Sequence, residues 1–157
     1  MEIKERLNIV SPEQVMEPLL ELLTETTAIP LVVSGGSMTP FLASGRDTVY
    51  LSSICAPLKK GDVVLYRRDN GRYVLHRILR VKDEIYTMIG DAQTVAEPGI
   101  RREQILAIVT AARRNGTLLQ KGSFLWMFFR LVWIRLIPLR PVIRGTYERI
   151  KKGKRET

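Results

Sequence analysis

The sequence predicts a mainly β protein: an antiparallel body of short strands, with one helix before it and a C-terminal apolar-basic helical segment after it. Three patterns carry this expectation. Between Leu31 and Ala111 the chain falls into short β-prone runs separated by turn formers. Ahead of them, apolar residues recur at helical spacing, and after Ser123 a long apolar run is interrupted only by arginines. The chain has 157 residues, the size of one domain. Its parts are an N-terminal helical segment (1–30), a β-rich body (31–120) and a basic, apolar C-terminal segment (121–157).

Ser11-Pro12-Glu13-Gln14 reads as a helix start. Ser11 can cap, Pro12 suits the first helical position and Gln14 completes a capping box. Val15, Leu19, Leu22 and Leu23 then form one apolar stripe, with Glu13, Glu17, Glu21 and Glu25 turned away. Pro18 is expected to kink this helix or delay its start. The expected strands are Leu31–Val33, Thr48–Leu51, Asp62–Arg67, Arg72–Val81, Ile85–Ile89 and Ile105–Ala111. Asn70-Gly71 is a strong hairpin signal between two of them, and Lys82-Asp83-Glu84 reads as a second turn. Close turns between short strands imply curled antiparallel sheets.

Phe124–Leu139 contains both tryptophans of the chain, Trp126 and Trp133, and two arginines, Arg130 and Arg135. Each charge at a bilayer centre costs at least ~2.5–3.5 kcal/mol, which argues against a spanning helix. Two placements remain open: the headgroup boundary of a membrane, with arginine stems snorkelling, or a cover over an apolar face of the β body.

Apolar residues make up 45% of the chain and charged residues 26%, a globular composition that excludes disorder and a disulfide scaffold. Cys55 has no second cysteine to pair with and, in the apolar run Ser-Ile-Cys-Ala-Pro, is expected to be a small buried hydrophobe. One cysteine and one histidine are too few for an ordinary zinc site, so no metal or cofactor is expected. The net charge of +9 is concentrated: residues 121–157 hold 10 Lys+Arg against 2 Asp+Glu. That segment calls for an anionic partner, a membrane surface in preference to nucleic acid, for which no reading motif is present. Residues 1–10 lack the pattern of a secretory leader, and no stretch reaches the ~18–20 apolar residues of a spanning helix. The expected location is cytoplasmic or peripheral to a membrane.

Chemistry is concentrated in three places. Ser34-Gly35-Gly36-Ser37-Met38-Thr39-Pro40 sets a hydroxyl beside glycines that permit a tight turn and close approach of a substrate backbone. Leu75-His76-Arg77-Ile78 holds the only histidine, the side chain best suited to act as a base near neutral pH. Gly90-Asp91 and, six residues on, Glu97 offer carboxylates that could fix a histidine tautomer.

In this order, with Lys60-Gly61-Asp62-Val63-Val64 between the first two, these boxes resemble the type I signal peptidase family over about Leu31–Ala111. The match is to the branch that uses histidine where bacterial housekeeping enzymes use lysine. The resemblance implies a signal-peptidase/LexA-like antiparallel β body and a serine endopeptidase that cleaves a leader or signal-like peptide. It implies Ser37 as nucleophile, His76 as general base, and Asp91 or Glu97 as the group that orients it. Ser34, Gly35 and Gly36 would border the oxyanion site, with the Ser37 N–H as first donor. The chain departs from the family pattern in three ways. Gly35 stands where a serine often helps bind the oxyanion, no N-terminal membrane anchor is evident in residues 1–30, and the boxes follow without a large insertion. The alternative reading is a catalytically inactive peptidase-fold module that binds an anionic surface or nucleic acid through 121–157. A self-cleaving LexA-type repressor fits less well, because only about thirty residues precede the strands and the base position is histidine.

Overall fold

The computed structural model describes residues 12–24 and 27–153; Ser11 and its predicted cap lie outside them. Helix α1 (Pro12–Glu21) runs through Pro18. Its buried stripe differs from the expected one. Met16 is buried and Leu20 and Leu23 pack beside it, whereas Val15 and Leu22 are exposed. Both sets have the spacing i, i+4, i+7, so periodicity could not choose between them; the direction from which the sheet approaches does.

The eight described strands form one antiparallel sheet. They are β1 (Ile29–Val32), β2 (Thr48–Ser52), β3 (Val63–Arg67), β4 (Tyr73–Lys82), β5 (Ile85–Ile89), β6 (Glu97–Arg101), β7 (Ile105–Arg114) and β8 (Thr117–Gln120). Their order is β1-β2-β7-β3-β4-β5-β6, and β8 pairs with the far end of β7. Register shifts in the β2–β7, β3–β7, β4–β5 and β5–β6 pairs mark bulges, which bend strands and increase twist. The mainly β architecture is therefore as the sequence predicts.

Two strands were not expected. β6 contains Pro98 and Gly99, poor strand formers that are tolerated here because β6 is at the sheet edge. β8 has four residues and follows Asn115-Gly116, a hairpin turn with positive φ at both positions, 47° and 80°. The Asp83-Glu84 turn has the same two-residue form, with φ of 50° and 59°.

β3 is buried on both faces. Val63 and Leu65 belong to one apolar cluster, Val64 and Tyr66 to another. The first cluster holds Val33, Met38, Phe41, Val49 and Val109, and it is closed by the C-terminal segment. Helix α2 (Phe124–Leu131) inserts Trp126 and Phe129, and a following turn inserts Trp133. Phe41 meets Trp126 edge-on at 5.5 Å and Phe129 at 4.8 Å between ring centroids. Of the two placements open for Phe124–Leu139, the apolar side chains that matter most take the cover over the β body. Helix α3 (Arg140–Gly153) then runs outward, exposed along most of its length. Among the described residues no helix is long and apolar enough to cross a membrane.

Cys55 corrects its expectation. It is exposed, in a segment that leaves β2 and runs over the surface, with its sulfur 3.4 Å from Ser53 Oγ.

Two phenylalanines of α2 test its role as a core element. Phe129 is buried and Phe124 is 87% exposed. Phe129→Ala should cost about 3–5 kcal/mol of unfolding free energy and Phe124→Ala under about 0.5 kcal/mol, measured by urea titration. Equal, small effects would show the segment to be a dispensable tail.

Candidate active site

Strand alternation sends neighbouring side chains to opposite faces. On β4, His76 is paired with Val64 and so shares the face of Val64 and Tyr66; Arg77 is paired with Val63 and faces Phe41 and the first cluster. The histidine and the arginine next to it thus serve two different networks.

His76 is almost fully buried, 2% exposed. Its Nδ1 lies 3.1 Å from the Tyr66 hydroxyl, and that hydroxyl donates to Glu97 Oε2 at 2.7 Å. Glu97 is in turn gripped by Arg68, whose Nε and Nη2 donate to its two oxygens at 2.8 and 2.6 Å. The Arg68 hydrogen bonds hold the Glu97 carboxyl below its ordinary range, so it is an acceptor only. Tyr66 stays protonated: burial and then the Glu97 hydrogen bond push its pKa well up. A phenol has one proton, and here it goes to Glu97. The Tyr66 oxygen must then accept from His76, which places the ring proton on Nδ1 and leaves the lone pair on Nε2. Burial lowers the His76 pKa from 6.5 to about 4, so the ring is neutral at physiological pH.

Ser37 lies in the loop between β1 and β2, half-buried, with Ser34, Gly35 and Gly36 exposed beside it. Gly35 has φ of +78°, a conformation that favours glycine, and its N–H is taken by Ser44 Oγ at 3.1 Å. The neighbouring Met38 is buried and pins the loop to the first cluster. The Ser37 carbonyl accepts from the Ala92 N–H at 2.8 Å. It also occupies the space where Gly90 lacks a side chain: a Cβ there would be 2.5 Å from the Ser37 oxygen. Ile89 is paired with Arg77, and Asp91 bonds Arg77, so both point to that face. Gly90, between them, turns its bare face to the His76 side. The Ser37 backbone thus sits at the end of β5, one residue beyond Ile89 and its pairing with Arg77, the neighbour of His76. The Ser37 hydroxyl and the His76 ring do not hydrogen-bond to each other.

Asp91 is on the other network. Its two oxygens accept from Arg77 Nε and Nη2 at 2.9 and 2.8 Å, both side chains being fully buried, while Arg77 Nη1 donates to the Gly61 carbonyl at 2.9 Å. Of the two carboxylates the sequence offers His76, Glu97 reaches it through Tyr66, and Asp91 faces away from it.

The C-terminal segment seizes the carbonyls of residues 90–93. Trp133 Nε1 donates to the Asp91 carbonyl at 2.9 Å, Arg140 Nη1 to Gly90 and Gln93 at 3.0 and 2.8 Å, and Arg144 Nη1 to Ala92 at 3.1 Å. Tyr66, Arg68, Arg140 and Arg144 were not singled out in the sequence, and Trp133 stood out only as part of the apolar C-terminal run. For Tyr66 a signal existed: folding the hairpin about Asn70-Gly71 pairs residue 66 with 74 and 64 with 76, which puts Tyr66 diagonal to His76. The three C-terminal residues had no comparable signal, since their contacts span more than forty positions.

Among the described residues no cluster of side chains has metal-binding composition. Comparison with family models, characterised proteins and solved structures finds no match to this chain.

Two substitutions test this bracing. Asp91→Ala strands the buried Arg77 guanidinium and should cost about 3–5 kcal/mol in denaturant unfolding. Gly90→Ala forces the Ser37 carbonyl aside, and the amide resonances of Ser37 and Ala92 should shift while those of β8 do not. Unmoved resonances would mean that Ser37 is not seated on Gly90.

Proposed function

We propose that this protein is a serine endopeptidase of the type I signal peptidase kind, acting on a leader or signal-like peptide. The observation that carries the reading is the Glu97–Tyr66–His76 chain. It orders a neutral imidazole with its proton on Nδ1, on the strand that pairs with β5, at whose end Gly90 seats the Ser37 backbone. The order of the sequence boxes supports the same reading.

In this mechanism Ser37 Oγ attacks the scissile carbonyl carbon as His76 Nε2 takes its proton. The resulting imidazolium is stabilised through Tyr66 by the Glu97 charge, and the Ser37 N–H faces the oxyanion. When the C–N bond breaks, His76 returns the proton to the leaving amine, and an acyl-Ser37 remains. Water then attacks the ester carbonyl, giving a proton to His76. Collapse releases the carboxylic acid and returns that proton to Ser37. Asp91 acts at one remove, by holding Arg77 and the 90–93 loop. Arg68 keeps Glu97 ionised.

Purified protein should cleave a peptide with small residues at the cleavage point, Ser37→Ala should be inactive, and His76→Ala should fall by about 10²–10⁴-fold in kcat/KM. Equal turnover by all three would leave only the binding-module reading. Activity should rise with pH through about 4 and stay level at neutral pH, because the base is lost on protonation. Stability runs in the same direction. The folded pKa of about 4 lies below the ordinary 6.5, so the stabilisation is complete above 6.5 and is lost as pH falls towards 4.

His76 is the only histidine in the chain, so its ring nitrogens can be observed directly by 15N NMR. The spectrum should report the Nδ1–H tautomer in wild type and a mixture of tautomers in Tyr66→Phe. A wild-type ring protonated on Nε2 would defeat the assignment of His76 as base even if cleavage were observed.

A further inference from the structure

Helix α3 presents a face that none of the described residues covers. Val142, Tyr147 and Ile150 are 68%, 65% and 59% exposed, and Ile143 is exposed beside them. Ile143, Tyr147 and Ile150 fall at i, i+4 and i+7, and Val142 and Thr146 widen the same stripe. These side chains are apolar where a solvent-facing helix is ordinarily polar. The rest of the helix is basic. Arg144, Arg149 and Lys152 are exposed, Glu148 is its only acidic residue, and Lys154 and Arg155 follow in the sequence.

We infer that this face of α3 docks on an anionic lipid bilayer, with the apolar stripe in the headgroup boundary and the flanking arginine and lysine side chains against the lipid charges. Charge complementarity selects this occupant. A second copy of the chain packed stripe to stripe would bring two sets of like charges together, whereas an anionic bilayer satisfies both the apolar and the basic parts of the helix. The contribution of Trp126, Phe129 and Trp133 is of another kind: they are already buried in the core, so the docking element is α3 and not the whole apolar segment.

The orientation has a consequence for the candidate site. Arg140 and Arg144, in the first two turns of α3, hold the carbonyls of Gly90, Ala92 and Gln93, and Ala92 holds Ser37. A docked α3 would fix the distance between the Ser37 loop and the membrane surface. The docking itself does not require Ser37 to be a nucleophile, so it can fail or succeed independently of the peptidase reading.

The test is co-sedimentation of the full chain with vesicles of phosphatidylcholine, alone or mixed with phosphatidylglycerol. Binding is expected only to the mixed vesicles. It should weaken when salt is raised from about 0.1 M to about 1 M, which shortens the screening length from roughly 10 to 3 Å. The triple variant V142S/Y147S/I150S and the double variant R149E/K152E should each bind roughly tenfold more weakly or worse. All five positions are exposed, so a circular dichroism spectrum like that of wild type is expected, and Ser37→Ala should bind as wild type does. Three results would overturn the inference: no binding to mixed vesicles at low salt, undiminished binding by the triple variant, or concentration-dependent dimers abolished by the triple variant in a chain that ignores vesicles. The last would assign the face to a second copy.

Discussion

The Arg77–Asp91 pair joins the parts of this molecule that chemistry would need together. Both side chains are fully buried, and the bidentate geometry fixes β4 against the loop that leaves β5. A buried ion pair adds little net stability once desolvation is counted, but removing one partner leaves an uncompensated charge. Its effect is therefore to make one arrangement of the loop much better than its competitors. Arg77 also reaches the Gly61 carbonyl and lies 5.1 Å over the Phe41 ring, so the turn before β3 and the loop after Ser37 share the same anchor.

Around that anchor the chain divides labour by strand alternation. One face of β4 carries structure: Arg77, Asp91, Phe41 and the aromatic side chains of α2. The other carries the candidate chemistry: His76, Tyr66 and Glu97. The division keeps a full negative charge out of direct contact with the imidazole. The carboxylate acts through a neutral phenol, which fixes the tautomer while burial holds the ring unprotonated. A direct carboxylate contact would favour the imidazolium and raise the pKa; the relay gives orientation with less of that effect.

The C-terminal segment combines two functions often served by separate parts. Its first half completes the core through Trp126, Phe129 and Trp133, and Trp133, Arg140 and Arg144 together hold the four successive carbonyls of residues 90–93. Its second half carries an exposed apolar stripe on a basic helix. The same fourteen-residue helix thus bonds the loop beneath Ser37 through Arg140 and Arg144 and leaves its apolar stripe exposed.

Much of the fold was written in local pattern. Six strands, the Asn70-Gly71 hairpin, the N-terminal helix and the apolar-basic helical segment can be read from periodicity and turn chemistry, because these depend on neighbours within a few residues. Ser37, His76, Asp91 and Glu97 stood out because few residue types can do nucleophilic and proton-transfer work. Contacts at long range decided the rest. Edge placement made a strand of Glu97–Arg101 despite Pro98 and Gly99. The approach of the sheet chose Met16 over Val15, and the apolar cluster under Phe41 drew in Trp126. The choice between the two carboxylates rested on which face of the sheet each occupies: Asp91 is committed to Arg77, and Glu97 is reached through Tyr66. A linear sequence specifies which groups are available, but the geometry that orders a proton chain arises only when strands pair and each side chain is assigned to a face.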